Sequence, residues 1–204
     1  MSIGNETTRN KAAVQYLAQA ALLTALCYIG FQVFRWDISV MGEKTAFHFG
    51  NVFCVLAALL LGPWWGGLAG AVGMGIADLT SGYATSTPKT FLLKLCIGII
   101  VGLVAHKIAK ISTKSDKAYL FRWSLIASLC GMIFNIFADP IVGYYYKAYI
   151  LGISQDAAAA FAKIGALTTF VNALMAVAFA TILYNAIRPA LVSTGMLRRF
   201  PSNK

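Results

Sequence analysis

Four long apolar stretches constrain the fold of this chain more than any other feature of its sequence. They cover residues 13–34, 90–108, 123–146 and 160–187. A helix rises about 1.5 Å per residue, so about 20 mostly apolar residues suffice to cross a hydrocarbon core about 30 Å thick. Each stretch therefore predicts a membrane-spanning helix. Composition agrees, because only 12% of the 204 residues are charged, whereas soluble domains carry about 25%.

A fifth apolar region, residues 51–79, is too long for a single comfortable span. At its centre Gly62 and Pro63 precede two tryptophans and a further pair of glycines. Proline removes a backbone donor and glycine relaxes the backbone, so this centre predicts a break. We therefore expect two short or tilted helices, 51–61 and 64–79, joined by a tight turn. The predicted fold class is an all-α integral membrane protein, a bundle of six transmembrane helices.

Basic residues mark the predicted cytoplasmic side of the membrane. They concentrate near the N-terminus, in one connection and in the C-terminal tail: Arg9 and Lys11; Lys107, Lys110, Lys114, Lys117 and Arg122; Arg188, Arg198, Arg199 and Lys204. The positive-inside rule places these regions in the cytoplasm, and an even number of helices puts both termini there. The expected organisation is a cytoplasmic N-terminal segment (1–12), a six-helix domain in the cell membrane (13–188) and a cytoplasmic tail (189–204).

The net charge of +10 does not indicate nucleic-acid binding. The basic residues lie between apolar stretches instead of forming one face with interleaved aromatic residues. Segment 1–12 lacks the small-residue cleavage pattern of a secretory signal, so the first apolar stretch is expected to be retained as a helix. The remaining connections, 35–50, 81–88 and 147–155, then face outward and form the natural mouth for a ligand.

A few polar side chains interrupt the apolar spans, namely Asp78, Lys94, Asn135, Asp139 and Asn172. An ionisable group costs roughly 2.5–3.5 kcal/mol at the centre of a spanning helix, so each needs a partner or a cavity. One interpretation is that these groups converge on an outward-open pocket and hydrogen-bond a polar ligand. The other is that Asp78 and Lys94 neutralise each other between neighbouring helices. The residues leave both interpretations open.

Several residues near the outer loops are further candidates for ligand contact. Trp36, Phe47 and Tyr83 offer stacking surface, although aromatic residues also form belts at membrane interfaces. His48 could contact a ligand, and Asn51 is placed to cap the second helix. Neither histidine has a plausible metal-ligand neighbour and the four cysteines show no paired spacing, so no metal or cofactor is expected.

Three segments, taken in order, resemble the S components of energy-coupling factor (ECF) transporters. They are Phe47-His48-Phe49-Gly50-Asn51, the run LAALLLGPWWGG at 56–67 and the run GIADL at 75–79. The run PKTFLLK at 88–94 and the glycine-bearing residues 98–102 continue the match. The likeness is greatest to the riboflavin-type group of S components.

This resemblance implies a subunit that captures a vitamin or related micronutrient from outside. It would dock on a membrane scaffold (T) subunit that carries two cytoplasmic ATPases. The chain has no phosphate-binding G-x-x-x-x-G-K-[ST] loop, so ATP hydrolysis is expected only in those partners. The family's alanine docking motif maps onto Ala21 and Ala25, whose spacing alone fits internal packing equally well. The ligand contacts that the family implies are Phe47, His48, Lys94, Asn135, Asp139 and Asn172. Trp36 and Tyr83, proposed above as stacking surface, complete the set of candidate contacts.

The identity of the vitamin is left open by the sequence. Residues 168–173 read TTFVNA, where many relatives show a proline and a glutamine near the asparagine. We favour a small hydroxylated ring such as a B6 vitamer or a thiamin-precursor pyrimidine, with cobalamin, pantothenate and riboflavin open. Two other classes compete: a self-sufficient ion-coupled carrier, and an intramembrane enzyme, for which Ser81 and the distant histidines make a poor nucleophile and base.

Overall fold

The computed structural model describes residues 3–40 and 42–197. Within them it contains six α-helices and one two-stranded antiparallel sheet. In chain order these are α1 (Ile3–Gln32), β1 (Arg35–Val40), β2 (Glu43–His48), α2 (Gly50–Leu61), α3 (Pro63–Thr80), α4 (Thr87–Gly102), α5 (Lys117–Tyr145) and α6 (Gln155–Ser193). Arg198, Arg199 and Lys204 of the predicted cytoplasmic tail lie outside the described residues.

Four helical segments are long and apolar enough to cross a membrane. They are Ala13–Gln32, Ala84–Ile108, Lys117–Ile150 and Gln155–Ser193, where α4 and α5 continue into short π-helical segments (Leu103–Ile108 and Tyr146–Ile150). They coincide with the four long apolar stretches, which confirms a helical, multi-pass membrane protein. The count of six spans and the cytoplasmic placement of both termini stay predictions.

The break between the second and third helices occurs where the sequence predicts it. Gly62 separates α2 from α3 with φ 82°, a left-handed conformation that glycine adopts without steric cost. Pro63 is the first residue of α3, the helical position where a missing N–H costs nothing. One local expectation is wrong, however. The N-cap of α2 is Phe49, without a side-chain hydrogen bond, so Asn51 lies inside the helix and does not cap it.

Helix α2 forms the centre of the bundle. All its residues except Phe53 are buried, and it packs against each of the other five helices. Its 12 residues rise only about 18 Å, so the longer helices around it extend past its N-terminus. The hairpin β1–β2 leads directly into this N-terminus. A space enclosed by the surrounding helices and the hairpin is therefore left above α2.

Glycines allow α3 to approach its neighbours closely. A Cβ atom added at Gly98 of α4 would lie 2.2 Å from the Cα atom of Gly67, and one added at Gly73 would lie 2.4 Å from the carbonyl oxygen of Thr24 in α1. Both separations are far below van der Waals contact, so only glycine fits. The small residues of α3 thus serve packing inside the bundle, as their four-residue spacing suggests.

At the opposite end of the bundle, side chains satisfy the last carbonyl groups of α2. His106 Nε2 lies 3.2 Å and 3.0 Å from the carbonyl oxygens of Ala58 and Leu59, and its Nδ1 lies 2.7 Å from Ser112 Oγ. The Tyr16 hydroxyl donates to the Leu61 carbonyl. Helix C-termini leave carbonyls such as that of Leu59 without a partner inside the helix, so His106 has a structural role.

Candidate ligand-binding cavity

A cavity of about 140 Å³ lies above the N-terminus of α2. Its wall is built from β2, the first turn of α2, the C-terminal part of α3, the first half of α4, the C-terminal half of α5 and the first half of α6. Six of the eight ligand contacts expected from the sequence line it: His48, Tyr83, Lys94, Asn135, Asp139 and Asn172. Residues far apart in the chain thus meet at one place.

Trp36 and Phe47 are the two expected contacts that do not line the cavity. They are cross-strand partners in the hairpin, so their side chains share one face of it, because successive strand residues point to opposite faces. Trp36 is 76% exposed. The sequence predicts only that 35–50 is an outward-facing connection, which does not indicate the face on which each side chain lies. We therefore omit both residues from the candidate site.

Asn172 fastens the hairpin to α6. Its Oδ1 accepts a hydrogen bond from the backbone N–H of His48 at 3.0 Å, and its Nδ2 donates to the carbonyl oxygen of Ala46 at 2.9 Å. The side-chain amide thereby pairs with β2 much as a neighbouring strand would. The Thr45 and Thr168 hydroxyls add a contact of 2.7 Å. Asn172 lines the cavity, but both ends of its amide are already used by the backbone.

Four buried polar atoms around the cavity have no hydrogen-bond partner among the residues that the structure describes. They are His48 Nδ1, Asn51 Oδ1, Asp78 Oδ2 and Asn135 Oδ1. Buried polar groups are nearly always hydrogen-bonded, and an unsatisfied one costs about 1–3 kcal/mol. Their convergence on one space is the arrangement expected where a polar ligand supplies the missing partners.

The charged residues of the wall form one close ion pair. Lys89 Nζ lies 2.9 Å from Asp139 Oδ1, and the Thr169 hydroxyl donates to the other carboxylate oxygen at 2.6 Å. This network joins α4, α5 and α6. Lys94 and Asp78 also line the cavity and are only 7% and 4% exposed, yet the ion pairs found among the described residues do not join them. Of the two interpretations that the sequence leaves open for Asp78 and Lys94, the one in which both face a shared cavity agrees better with this geometry.

His48 is neutral in its position at the base of the hairpin. Burial, reinforced by the nearby charge of Lys94, lowers its pKa to about 3. Its ring packs against Phe31, with the ring centroids 4.7 Å apart. A neutral imidazole carries one donor and one acceptor nitrogen, so the unpartnered Nδ1 can serve a ligand group of either kind through a change of tautomer.

The mouth of the cavity is held by polar contacts between the hairpin and the loop after α3. The Tyr83 hydroxyl donates to Asp37 Oδ1 at 2.9 Å, and Arg35 Nε lies 3.0 Å from the same carboxylate. Burial and this carboxylate raise the pKa of Tyr83, so it remains a donor. Lys44 is exposed at the rim, and the Lys147 ammonium lies 4.9 Å from the centroid of the Phe161 ring. The rim therefore carries positive charge.

Sequence reasoning missed several residues of this wall. Lys89 enters the sequence prediction only as part of a run that resembles the family, although a buried Asp139 signals that a cation must lie near it. The sequence predicts a capping role for Asn51, and nothing in it distinguishes Thr169. The threonines gave no signal, because isolated hydroxyls in apolar helices usually bond to their own backbone.

Ala21 and Ala25 lie away from the cavity, on a surface of α1 that none of the other described helices covers. Both are exposed, and they are surrounded by the large apolar side chains of Leu17, Leu22 and Ile29, which are 58%, 62% and 42% exposed. The two alanines therefore form a shallow depression on an apolar helix face. Their use in packing within the chain, the alternative that spacing left open, is not what the structure shows.

Comparison with known proteins agrees with this arrangement. The family model described as ECF-type riboflavin transporter, S component, matches residues 11–189. That range is most of the chain, so the protein belongs to the S-component family of ECF-type transporters. Its long apolar helices agree with the membrane location of that family.

One curated relative also aligns with part of the chain. It is a protein of Pyrococcus woesei described as "Uncharacterized protein in gap 3'region", 37% identical over 65 residues, which are 32% of this chain and 43% of the relative. The chain thus spans less than half of that relative's length. No solved structure matches the chain.

Proposed function

We propose that this S component captures a small, single-ring, hydroxylated vitamin from the outer side of the membrane. A B6 vitamer or a thiamin-precursor pyrimidine fits this description. The observation that carries the proposal is the cavity of about 140 Å³ with four unpartnered buried polar atoms in its wall.

The size of the cavity supports a single ring. An engineered cavity of about 150 Å³ holds benzene, so a space of about 140 Å³ suits one six-membered ring with short substituents. The three fused rings of riboflavin and the corrin of cobalamin are much larger. The family description names riboflavin, but the volume above α2 favours a smaller ligand for this member.

The chemistry of the wall supports a ligand rich in hydrogen-bond donors. Three of the unpartnered atoms, on Asn51, Asp78 and Asn135, are oxygens, and oxygens of carboxylates and amides accept hydrogen bonds. A ring bearing hydroxyl or amino groups supplies the donors they lack. A ligand of this kind gains affinity by satisfying groups that are otherwise buried without partners.

A binding panel tests the proposed ligand class. The chain, purified in detergent, is analysed by mass spectrometry for any small molecule that copurifies, then titrated with pyridoxine, the thiamin-precursor pyrimidine, pantothenate, riboflavin and cobalamin. We expect tight binding of one single-ring compound and its loss in the variant Asn135→Leu, with Asn185→Leu, at the far end of the bundle, as the control. Tight binding of riboflavin or cobalamin alone would contradict the proposed ligand class.

We further propose that the exposed face of α1 docks on a membrane scaffold subunit that carries two ATPases. The support is the depression at Ala21 and Ala25, because small residues allow a second helix to approach closely in lipid. The double substitution Ala21→Phe and Ala25→Phe should prevent copurification with the scaffold while ligand binding persists. Ala186→Phe, on an exposed position of α6, is the control. Uptake into vesicles by the chain alone would favour an ion-coupled carrier instead.

A further inference from the structure

Two opposite charges face the cavity without forming a close pair. Asp78 lies near the end of α3 and Lys94 lies in the first half of α4, and both are buried in the cavity wall. Within the described part of the chain, Asp78 Oδ2 has no hydrogen-bond partner. The ion pairs among the described residues, Arg35–Asp37 and Lys89–Asp139, do not involve either of them.

Leaving two buried charges apart is costly in a bilayer, since each is removed from water without the close countercharge that would offset its desolvation. Helices α3 and α4 pack so tightly at Gly67 and Gly98 that their backbones nearly touch. Although these helices are neighbours, no close ion pair joins Asp78 to Lys94 among the described residues. Their charges instead border a space that also contains unpartnered atoms of uncharged side chains.

We propose that Asp78 and Lys94 recognise a dipolar ring, and this proposal rests on the proposed function above. One edge of the ring carries a proton donor or a positive charge that meets Asp78. The other edge carries an anionic or strongly accepting oxygen that meets Lys94. A hydroxypyridine ring has this character, since its nitrogen takes up a proton and its acidic hydroxyl releases one.

The remaining charges of the wall sharpen this assignment. Lys89 and Asp139 neutralise each other at 2.9 Å, and His48 is uncharged, so Asp78 and Lys94 dominate the inner field. At the rim, Lys44 and Lys147 add positive charge. The site therefore disfavours a ligand with a net positive charge, such as one bearing a thiazolium ring, and accepts a neutral dipolar one.

The first arm of the test uses the unaltered protein and a matched series of rings. Pyridoxine is compared by calorimetry with its 3-O-methyl derivative, which cannot release the acidic proton, and with the carbocyclic analogue in which CH replaces the ring nitrogen. A charge-assisted hydrogen bond contributes about tenfold or more in affinity. We expect each analogue to bind at least about tenfold more weakly than pyridoxine. Equal affinity for all three compounds would overturn the proposal.

The second arm removes the charges with substitutions of similar shape, Asp78→Asn and Lys94→Met. Each should weaken pyridoxine binding about tenfold or more. Asp78→Asn should no longer distinguish pyridoxine from the carbocyclic analogue, and Lys94→Met should no longer distinguish it from the 3-O-methyl derivative. Asp156→Asn and Lys117→Met, at exposed positions outside the wall, are the controls. Monodisperse elution and an unchanged Tm establish that each variant is folded.

The outcomes separate this inference from the proposed function. If both variants bind pyridoxine within twofold of the unaltered chain, the dipolar assignment is wrong while vitamin capture stands. The dipolar assignment is also wrong if the only panel vitamin that binds has neither opposite charges nor a donor and an acceptor on opposite edges. Vitamin capture stands in that case too. If it binds no vitamin of the panel, even in complex with its scaffold and ATPases, the proposed function itself fails.

Discussion

Individual side chains around the cavity divide into those that hold it together and those that are left for a ligand. Asn172 belongs to the first group, because both ends of its amide bond the backbone of β2. Asn51 and Asn135 belong to the second, because an oxygen of each has no partner. Three asparagines of the same chemistry thus have different roles, and of the three Asn172 is the one that bonds the hairpin.

Replacing Asn172 with alanine should loosen the hairpin. The His48 N–H and the Ala46 carbonyl would each lose a buried partner, at a cost of about 1–3 kcal/mol apiece. We expect faster dissociation of the bound ligand and a lower Tm. Asn185→Ala is the matched control. Asn185 also lies on α6, and its amide nitrogen donates to the Ser124 hydroxyl at 3.0 Å and to the Thr181 carbonyl oxygen at 2.8 Å. A ligand dissociation rate equal to that of the control would contradict the role assigned to Asn172.

The shifted pKa of His48 predicts a specific dependence of stability on pH. Its folded pKa of about 3 lies below its usual value of 6.5, so the unfolded chain binds more protons between these values. The contribution of the neutral ring is complete above pH 6.5 and is lost progressively as the pH falls toward 3. The apparent stability should therefore fall less steeply below pH 6.5 in His48→Gln than in the unaltered chain. Identical slopes would show that the ring is not held neutral.

Secondary-structure elements were predicted well where hydrophobicity alone determines them. The break at Gly62 and the four long helices follow from apolar length and from the chemistry of glycine and proline. The hairpin was missed, because residues 35–50 contain short strands whose pairing depends on a turn near Gly42 and on support from α6. Hydropathy reports burial in lipid, and it contains no information about a polar hairpin outside the spans.

The contact between α3 and α4 provides a test at the scale of elements. Gly98→Ala would place a Cβ atom 2.2 Å from the Gly67 Cα, so the helices must separate, at about 1–3 kcal/mol for such overpacking. We expect a clear fall in Tm and weaker ligand binding, since both helices line the cavity. Gly75→Ala on α3 is the control, because its new Cβ would meet only Phe91 and Thr87 at 3.7 Å. Equal Tm values for the two variants would contradict the close contact.

For the whole molecule, orientation in the membrane remains a prediction from charge. The basic connection between α4 and α5 is expected in the cytoplasm and the start of α6 outside. Ser115 and Ser154 are exposed at these two places. The serine-to-cysteine substitutions Ser115→Cys and Ser154→Cys therefore report opposite sides of the membrane with the smallest change of side chain.

A membrane-impermeant thiol reagent added to intact cells should label Ser154→Cys. It should label Ser115→Cys only after the membrane has been permeabilised. The unaltered chain is the blank, since Cys27 and Cys54 are buried and Cys96 and Cys130 are partly buried within helices. Labelling of Ser115→Cys in intact cells would invert the predicted orientation.

The candidate site could be anticipated from the sequence only in part. Lys94, Asn135, Asp139 and Asn172 stand out because polar groups are rare in apolar helices. Which of them pair with each other depends on helix rotation, and periodicity does not determine rotation when an apolar helix has lipid on one side and protein on the other. Lys89 thus became the partner of Asp139, while Lys94 remained beside Asp78 without pairing.

Helix α2 has a hydrophobicity typical of a membrane segment, yet it is enclosed by five helices and only Phe53 among its residues is not buried. Its apolar character is thus explained by neighbouring side chains and not by acyl chains. Substitutions along it should be tolerated according to the volume and shape of the new side chain rather than its hydrophobicity. A large hydrophobic residue in place of Ala57 or Ala58 would destabilise the bundle as much as a polar one.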